Sequence, residues 1–454
     1  MILLNWLPEL ILLALLFFTL ILMNFGNLSY RSISLVITGV ATFGLTYFVM
    51  REDLSYFESP LKVIISDSLS HFGKIISLLS LALFSLSVHF HRNLNYQEKQ
   101  SSCLFLLFYS TFTIGLFQSN SLIFFLGSAL GVYLSSMNLI LIESGKDPEW
   151  VLLFRQRTVS VGLWAILISI IFILGTFLFG SVYLSDWIEV FGKYSGSELP
   201  LFGFGFLLFL ASTIPLGGLR YEGKAPLGIA MLCYGFFLVL VVFWLRFTVP
   251  FFSLSSVMSK NLSQILLSLV IGGLTLRYGW NAIRAREHHR WYSSALPTVV
   301  GLCLFLVLLP SEHALPAFYC ISFSLLFTFG LVSTSFISDT DSHKSIVLVG
   351  LIGLVGMSPF VLGELYYRLI RDAVASGNLV AGILMTLAWL GLTIAVIRKI
   401  SSVLLTRSIL KDRRKILLSE MFFVGIYFAC VIGLTIFRSE FVTLLNERPV
   451  TNLW

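Results

Sequence analysis

The chain has 454 residues, 57% of them hydrophobic and 12% charged, with a net charge of +7 and a mean hydropathy of +0.92. A soluble domain of this size needs a charged, mixed surface to stay dispersed, and this composition cannot supply one. Apolar runs of about 20 residues, the length that crosses a bilayer as a helix, recur from end to end, which excludes a β-barrel of roughly ten-residue alternating strands.

The first run, Leu7–Leu22, has no basic stretch before it and no small-residue cleavage site after it. It reads as a retained helix rather than a cleaved signal. In chain order the spans fall at 7–24, 32–50, 74–91, 102–119, 121–142, 159–183, 200–217, 226–247, 263–280, 293–310, 315–337, 345–370, 377–399 and 417–437. Only Gln118–Ser121 divides the fourth from the fifth. The expectation is an all-α integral membrane protein of about 14 transmembrane helices.

Loop charges test this division. With the N-terminus outside, the odd-numbered connections are cytoplasmic, and they carry Arg155 and Arg157, then Arg220 and Lys224, then Arg284, Arg286 and Arg290. The thirteenth is the most basic, with Arg398, Lys399, Arg407, Lys411, Arg413, Arg414 and Lys415. Outer loops hold Asp186, Glu189, Glu198 and Glu312, while Arg368 and Arg371 stand as exceptions near an outer end. The alternation predicts a multi-pass protein of the inner (plasma) membrane with both termini outside. It also accounts for the net positive charge without nucleic acid.

Two spans contain a break signal. Pro215 lies near the end of the seventh, and Pro359 follows Gly356 in the twelfth. Each removes a helical hydrogen bond. The two lie five spans apart, as in transporters whose inverted repeats carry broken helices around an ion site, although Gly and Pro are common in membrane helices generally.

Polar residues inside the spans are few. Glu364 lies just past Pro359 with Arg368 one turn on, an i,i+4 pair that is either structural or part of a proton path. Arg246 ends the eighth span and is expected to snorkel to the outer interface. Arg277 and Asn281 close the ninth, Glu143 marks the inner end of the fifth, and Asp67 is placed to begin a capped helix. His288 and His289, flanked by Arg286 and Arg290, fit a cytoplasmic loop, and two adjacent His are too few for zinc. Cys103, Cys233, Cys303, Cys320 and Cys430 have no metal-ligand spacing and read as small buried hydrophobes. No phosphate loop, flavin motif or nucleophile elbow is present, so no bound cofactor or metal is expected.

Several short motifs, in order, resemble the antiporter-like membrane subunits of respiratory complex I, most closely the subunit N type of NADH-quinone oxidoreductase. They are Leu7–Pro8–Glu9–Leu10 at the start and Tyr221–Glu222–Gly223 with Ala225–Pro226 before the eighth helix. Arg246 at that helix's end, Gly279 with Asn281–Ala282, Tyr292–Ser293–Ser294, and Gly353 to Glu364 continue the series. The likeness spans nearly the whole chain. It implies an antiporter-like fold with two inverted five-helix repeats and broken helices 7 and 12. Residues 1–101 would form helices 1–3, 102–247 the first repeat (helices 4–8), 263–399 the second (helices 9–13), and 400–454 the basic loop and last helix. It further implies other membrane subunits as partners, with NADH, flavin and iron–sulfur clusters in those partners and quinone in the complex.

In the family, a central glutamate and lysines relay protons. Carried onto this sequence, those positions fall near Ala129, Leu210, Phe237 and Tyr366, and a family histidine falls at Pro297. Ala, Leu, Phe and Pro cannot take or pass a proton, so the likeness extends to the fold rather than to the relay. Three functions stay open. The first is a non-redox membrane subunit of an NADH:quinone oxidoreductase-type complex that contributes to or scaffolds proton translocation. The second is a scaffold derived from the family, without transport. The third is a free-standing cation/proton antiporter, for which Glu364 is the strongest candidate site.

Overall fold

The computed structural model describes residues 57–58, 65–90, 94–145, 148–193, 225–248, 257–308, 311–337, 344–357 and 361–405, with a few isolated positions besides. The expected first, second, seventh and fourteenth spans lie outside these residues, as do Leu210, Pro215, Pro359, Cys430 and the basic run from Arg407 to Lys415. The described architecture is helical apart from one short antiparallel ladder, β1 (Phe57–Glu58) on β2 (Ile65–Ser66). Eight of the described helices are long and apolar enough to cross a membrane. The elements fall into two compact units that divide between Phe204 and Gly205.

The first unit opens with α1 (Ser68–Phe90). Asp67 caps it as expected: the Ser70 amide donates to Asp67 Oδ1 at 2.7 Å, and the Asp67 amide donates to Ser70 Oγ at 2.7 Å. This cap starts the helix ahead of the expected boundary and draws His71 into it; His71 and Lys74, the first residue of the expected span, are both buried. A capping box of Asn95 and Glu98 begins α2 (Tyr96–Gln118). The turn Ser119–Ser121 then separates α2 from α3 (Leu122–Glu143), so the narrow division between the fourth and fifth spans holds. Close packing runs through two glycines, with Phe117 against Gly73 and Phe112 against Gly131.

Pro148 opens α4 (Pro148–Phe179), which places Arg155 and Arg157 in a helix rather than in the expected loop. Leu163, Ile166, Ile170, Ile173 and Phe177 make its exposed face apolar from Leu163 onward, as a lipid-facing helix requires. The expected outer acidic loop contains a short amphipathic helix, α5 (Leu184–Lys193). Trp187 anchors it: the indole is buried between Phe172 and Phe179, lies over Gly175, and donates to the Ser181 carbonyl at 2.6 Å. The Leu184 amide donates to the Asn120 carbonyl at 2.8 Å, tying α5 to the α2–α3 turn.

The second unit contains α6 (Pro226–Phe243) with a π-helical turn Trp244–Thr248, and α7 (Val257–Arg284). Next in the chain come α8 (His288–Leu304) with a 3₁₀ turn Phe305–Leu308, and α9 (Ser311–Ile337). The last three helices are α10 (Lys344–Val355), α11 (Val361–Ala375) and α12 (Leu379–Leu405). α6 and α8 are buried along their apolar lengths and form the centre, with α7, α9 and α12 packed around them. Gly272 admits Leu384 between α7 and α12, and Gly301 admits Thr275 between α7 and α8.

Two further loop assignments are corrected by the second unit. His288 and His289 are the first residues of α8, because the chain re-enters the unit immediately after Glu287. Arg398 and Lys399 belong to α12, whose apolar pattern runs on to Leu405. Lys399 is consequently buried, with its Nζ 6.0 Å from the Trp291 ring centroid.

Candidate functional site at the broken helix

The expected break in the twelfth span is present. α10 ends at Val355 and α11 begins at Val361. Gly356 stops α10 at φ +78°, with its amide on the Gly353 carbonyl at 3.1 Å and the Met357 amide on the Ile352 carbonyl at 3.3 Å. This is a Schellman closure, and its left-handed residue favours glycine. Close approach adds a second demand, since a β-carbon on Gly356 would stand 1.9 Å from the Gly363 amide nitrogen.

A broken membrane helix leaves carbonyls without helical donors. In this break, aromatic side chains reach the last two. Tyr366 Oη, fully buried on α11, donates to the Leu354 carbonyl at 3.4 Å. Trp389 Nε1, on α12, donates to the Val355 carbonyl at 3.1 Å. The two rings meet edge to face with centroids 5.9 Å apart.

Glu364 and Arg368 form the expected ion pair, with Arg368 Nη2 donating to Glu364 Oε1 at 2.9 Å. It is not buried. The side chains are 50% and 49% exposed respectively, because α11 is amphipathic and packs through Leu362, Leu365, Tyr366 and Leu369 instead. Arg371 continues the exposed face beside Asp372. Glu364 is therefore a surface charge on a half-helix and not an acid enclosed in the bundle.

The buried ionisable side chains lie elsewhere. Arg246 is 3% exposed within the π turn, so it points into the second unit and does not snorkel. A π turn inserts an extra residue and so rotates the side chains beyond it to a new face. Lys74 and Lys399 are also buried. Lys74 already fell at the start of the expected third span, and the apolar residues past Lys399 would have placed that lysine inside α12.

The positions taken from the family's relay are filled by packing. Ala129, Phe237, Pro297 and Tyr366 are all buried, and Phe237 packs on Phe318 with ring centroids 5.9 Å apart. Tyr292 Oη lies 3.1 Å from Ser333 Oγ, and Trp291 Nε1 donates to the Ala395 carbonyl at 3.2 Å. The Tyr-Ser-Ser element thus ties α8 to α9, and Trp291 just before it ties α8 to α12. Cys103, Cys233, Cys303 and Cys320 are buried as expected. Among the described residues no three of His, Cys, Asp or Glu converge on one point.

No protein-family model and no curated protein matches this sequence. Solved structures do match in fold. A chain of respiratory complex I from Thermus thermophilus with bound NADH superposes with a TM-score of 0.72 at 13% identity, covering 97% of this chain and 98% of that one. A chain of the membrane-bound sulfane sulfur reductase, an archaeal respiratory membrane complex, gives 0.73 at 13% identity, covering 97% and 96%. A chain of the Mrp complex from Dietzia gives 0.74 at 13% identity, covering 100% and 98%. The chain has the antiporter-like membrane fold. At this identity the likeness establishes architecture, and it extends over essentially the full length of all three.

Proposed function

We propose that this protein is a non-redox membrane subunit of a multi-subunit complex of the NADH:quinone oxidoreductase type, and that it scaffolds proton translocation rather than relaying protons through its second unit. The observation that carries this reading is the closure of the helix break. In a transporter, the carbonyls freed by a broken helix coordinate the ion. In this chain Tyr366 and Trp389 occupy the last two carbonyls of α10, and Phe237, at another relay position, is buried against Phe318. Phe, Trp and neutral Tyr provide no proton-accepting station.

The charged face of α11 supports partnership. Glu364, Arg368 and Arg371 repeat at i, i+4 and i+7 on an exposed half-helix just past the break. Hydrocarbon does not solvate such a stripe, whereas another polar subunit surface does. The solved chains of similar fold come from complexes. NADH, flavin, iron–sulfur clusters and quinone would then belong to partner subunits or to the assembly.

The test is affinity purification of the tagged protein from its native membrane in mild detergent, with quantitative mass spectrometry of its companions. The expected result is a fixed stoichiometry with other membrane subunits and with a quinone-reducing module. A single monodisperse chain that exchanges cations for protons alone in liposomes would overturn both the complex and the scaffold.

A further inference from the structure

The helix α7 carries one exposed stripe that changes character along its length. Leu266 and Leu269 are exposed, and Gly273 faces open space where a side chain would stand. Arg277, Trp280 and Arg284 continue the same face, since spacings of three and four residues stack side chains along a helix. Trp280 is 54% exposed. Arg284 folds back until its Cζ stands 4.7 Å from the Trp280 ring centroid, which turns it toward Arg277. From α12, Arg398 donates to the Ile283 carbonyl at the end of α7 and brings a third guanidinium to this level. No described carboxylate pairs with Arg277, Arg284 or Arg398.

We propose that this tier binds the headgroup phosphate of an anionic phospholipid, with the lipid's acyl chains lying along the Leu266–Gly273 face. A guanidinium stacked on an indole keeps its N–H edge free for a phosphate, which it can meet with two parallel hydrogen bonds. Tryptophan is the side chain that settles at the membrane–water interface, so Trp280 sets the depth of the headgroup. The gap at Gly273 gives a chain room to lie against the helix. An acidic protein segment could satisfy the arginines but has no use for an apolar stripe directly continuous with them. The site is independent of whether the protein relays protons or scaffolds them.

The test uses the full-length protein in detergent. It is titrated with phosphatidylglycerol carrying brominated acyl chains and, separately, with brominated phosphatidylcholine. Quenching at the site is the difference between the wild type and Trp280→Phe. The anionic lipid is expected to bind more tightly by roughly 30-fold, equivalent to about 1 kcal/mol for each of Arg277 and Arg284. That preference should fall to parity in Arg277→Gln/Arg284→Gln, persist in Arg277→Lys/Arg284→Lys, and shrink in the wild type as salt is raised. Equal binding of the two lipids, or an unchanged preference in the glutamine variant, would overturn the proposal. So would full displacement by inorganic phosphate alone, which would make the site one for the free ion. Loss of the Trp280 quenching in the assembled complex would assign the patch to a protein partner instead.

Discussion

Gly356 and Gly363 stand on either side of the helix break with their backbones in direct contact: a β-carbon added to Gly363 would lie 2.1 Å from the Gly356 carbonyl oxygen. Gly363→Ala therefore drives a methyl into backbone that cannot rotate away. The expected cost is about 1–3 kcal/mol or more. Gly391, in α12, faces open space, and Gly391→Ala should be neutral or stabilising by up to about 1 kcal/mol. Thermal unfolding in detergent checks the pair, and equal Tm shifts would show that the close approach is not a constraint.

Tyr366→Phe leaves the Leu354 carbonyl without its donor, and Trp389→Phe does the same to Val355. Each should destabilise by about 1–3 kcal/mol, with the longer Tyr366 bond at the low end. If the break is a scaffold joint, proton pumping per assembled complex stays unchanged in both variants while the yield of complex falls. A loss of pumping with full assembly would make Tyr366 part of a proton path.

The Glu364–Arg368 pair is half-exposed, so Glu364→Gln should cost the isolated chain less than about 0.5 kcal/mol. Arg368→Ala should behave alike. The stripe acts at a partner surface in the proposed reading, so reversing it is the sharper change. Glu364→Arg with Arg368→Glu should preserve the fold, by circular dichroism and Tm, yet lower the yield of the complex. Normal assembly and normal pumping in the reversed variant would leave these charges without a role in either.

Reporter fusions at Arg413 and Glu447 should report opposite sides of the membrane, with Arg413 in the cytoplasm. The run of basic residues before the last expected span resists transfer across the bilayer. Finding both reporters on one side would remove that span and with it the even count.

The spans that fall on described residues were legible because each obeys a local rule. A run long enough to cross hydrocarbon must form a helix, since no water is present to satisfy its backbone. The break at Gly356 and the Asp67 cap were legible for the same reason: a left-handed turn and an N-cap depend on one or two residues in sequence. The start of α4 and the true end of α12 were missed because charged residues read as loop, although both helices run through such residues, Arg155 in one and Lys399 in the other. The short helix α5 was hidden because Asp186 and Glu189 read as an outer loop and the segment is too short to cross a membrane, while its docking face rests on Leu184 and Trp187.

Exposure could not be read from the chain. Glu364 sits in an apolar stretch, yet it faces outward because Leu365, Tyr366 and Leu369 take the packing side of α11. Arg246 sits at a span's end, yet the π turn aims it inward. Sequence alone determined the membrane class, the described helical spans, the position of the twelfth-span break and the pairing partner of Glu364, because these depend on hydrophobic length and near-neighbour spacing. Only the tertiary structure decided which charges are buried and what closes the break, because the indole that reaches the Val355 carbonyl lies 34 residues away, a distance in sequence over which no local pattern carries information.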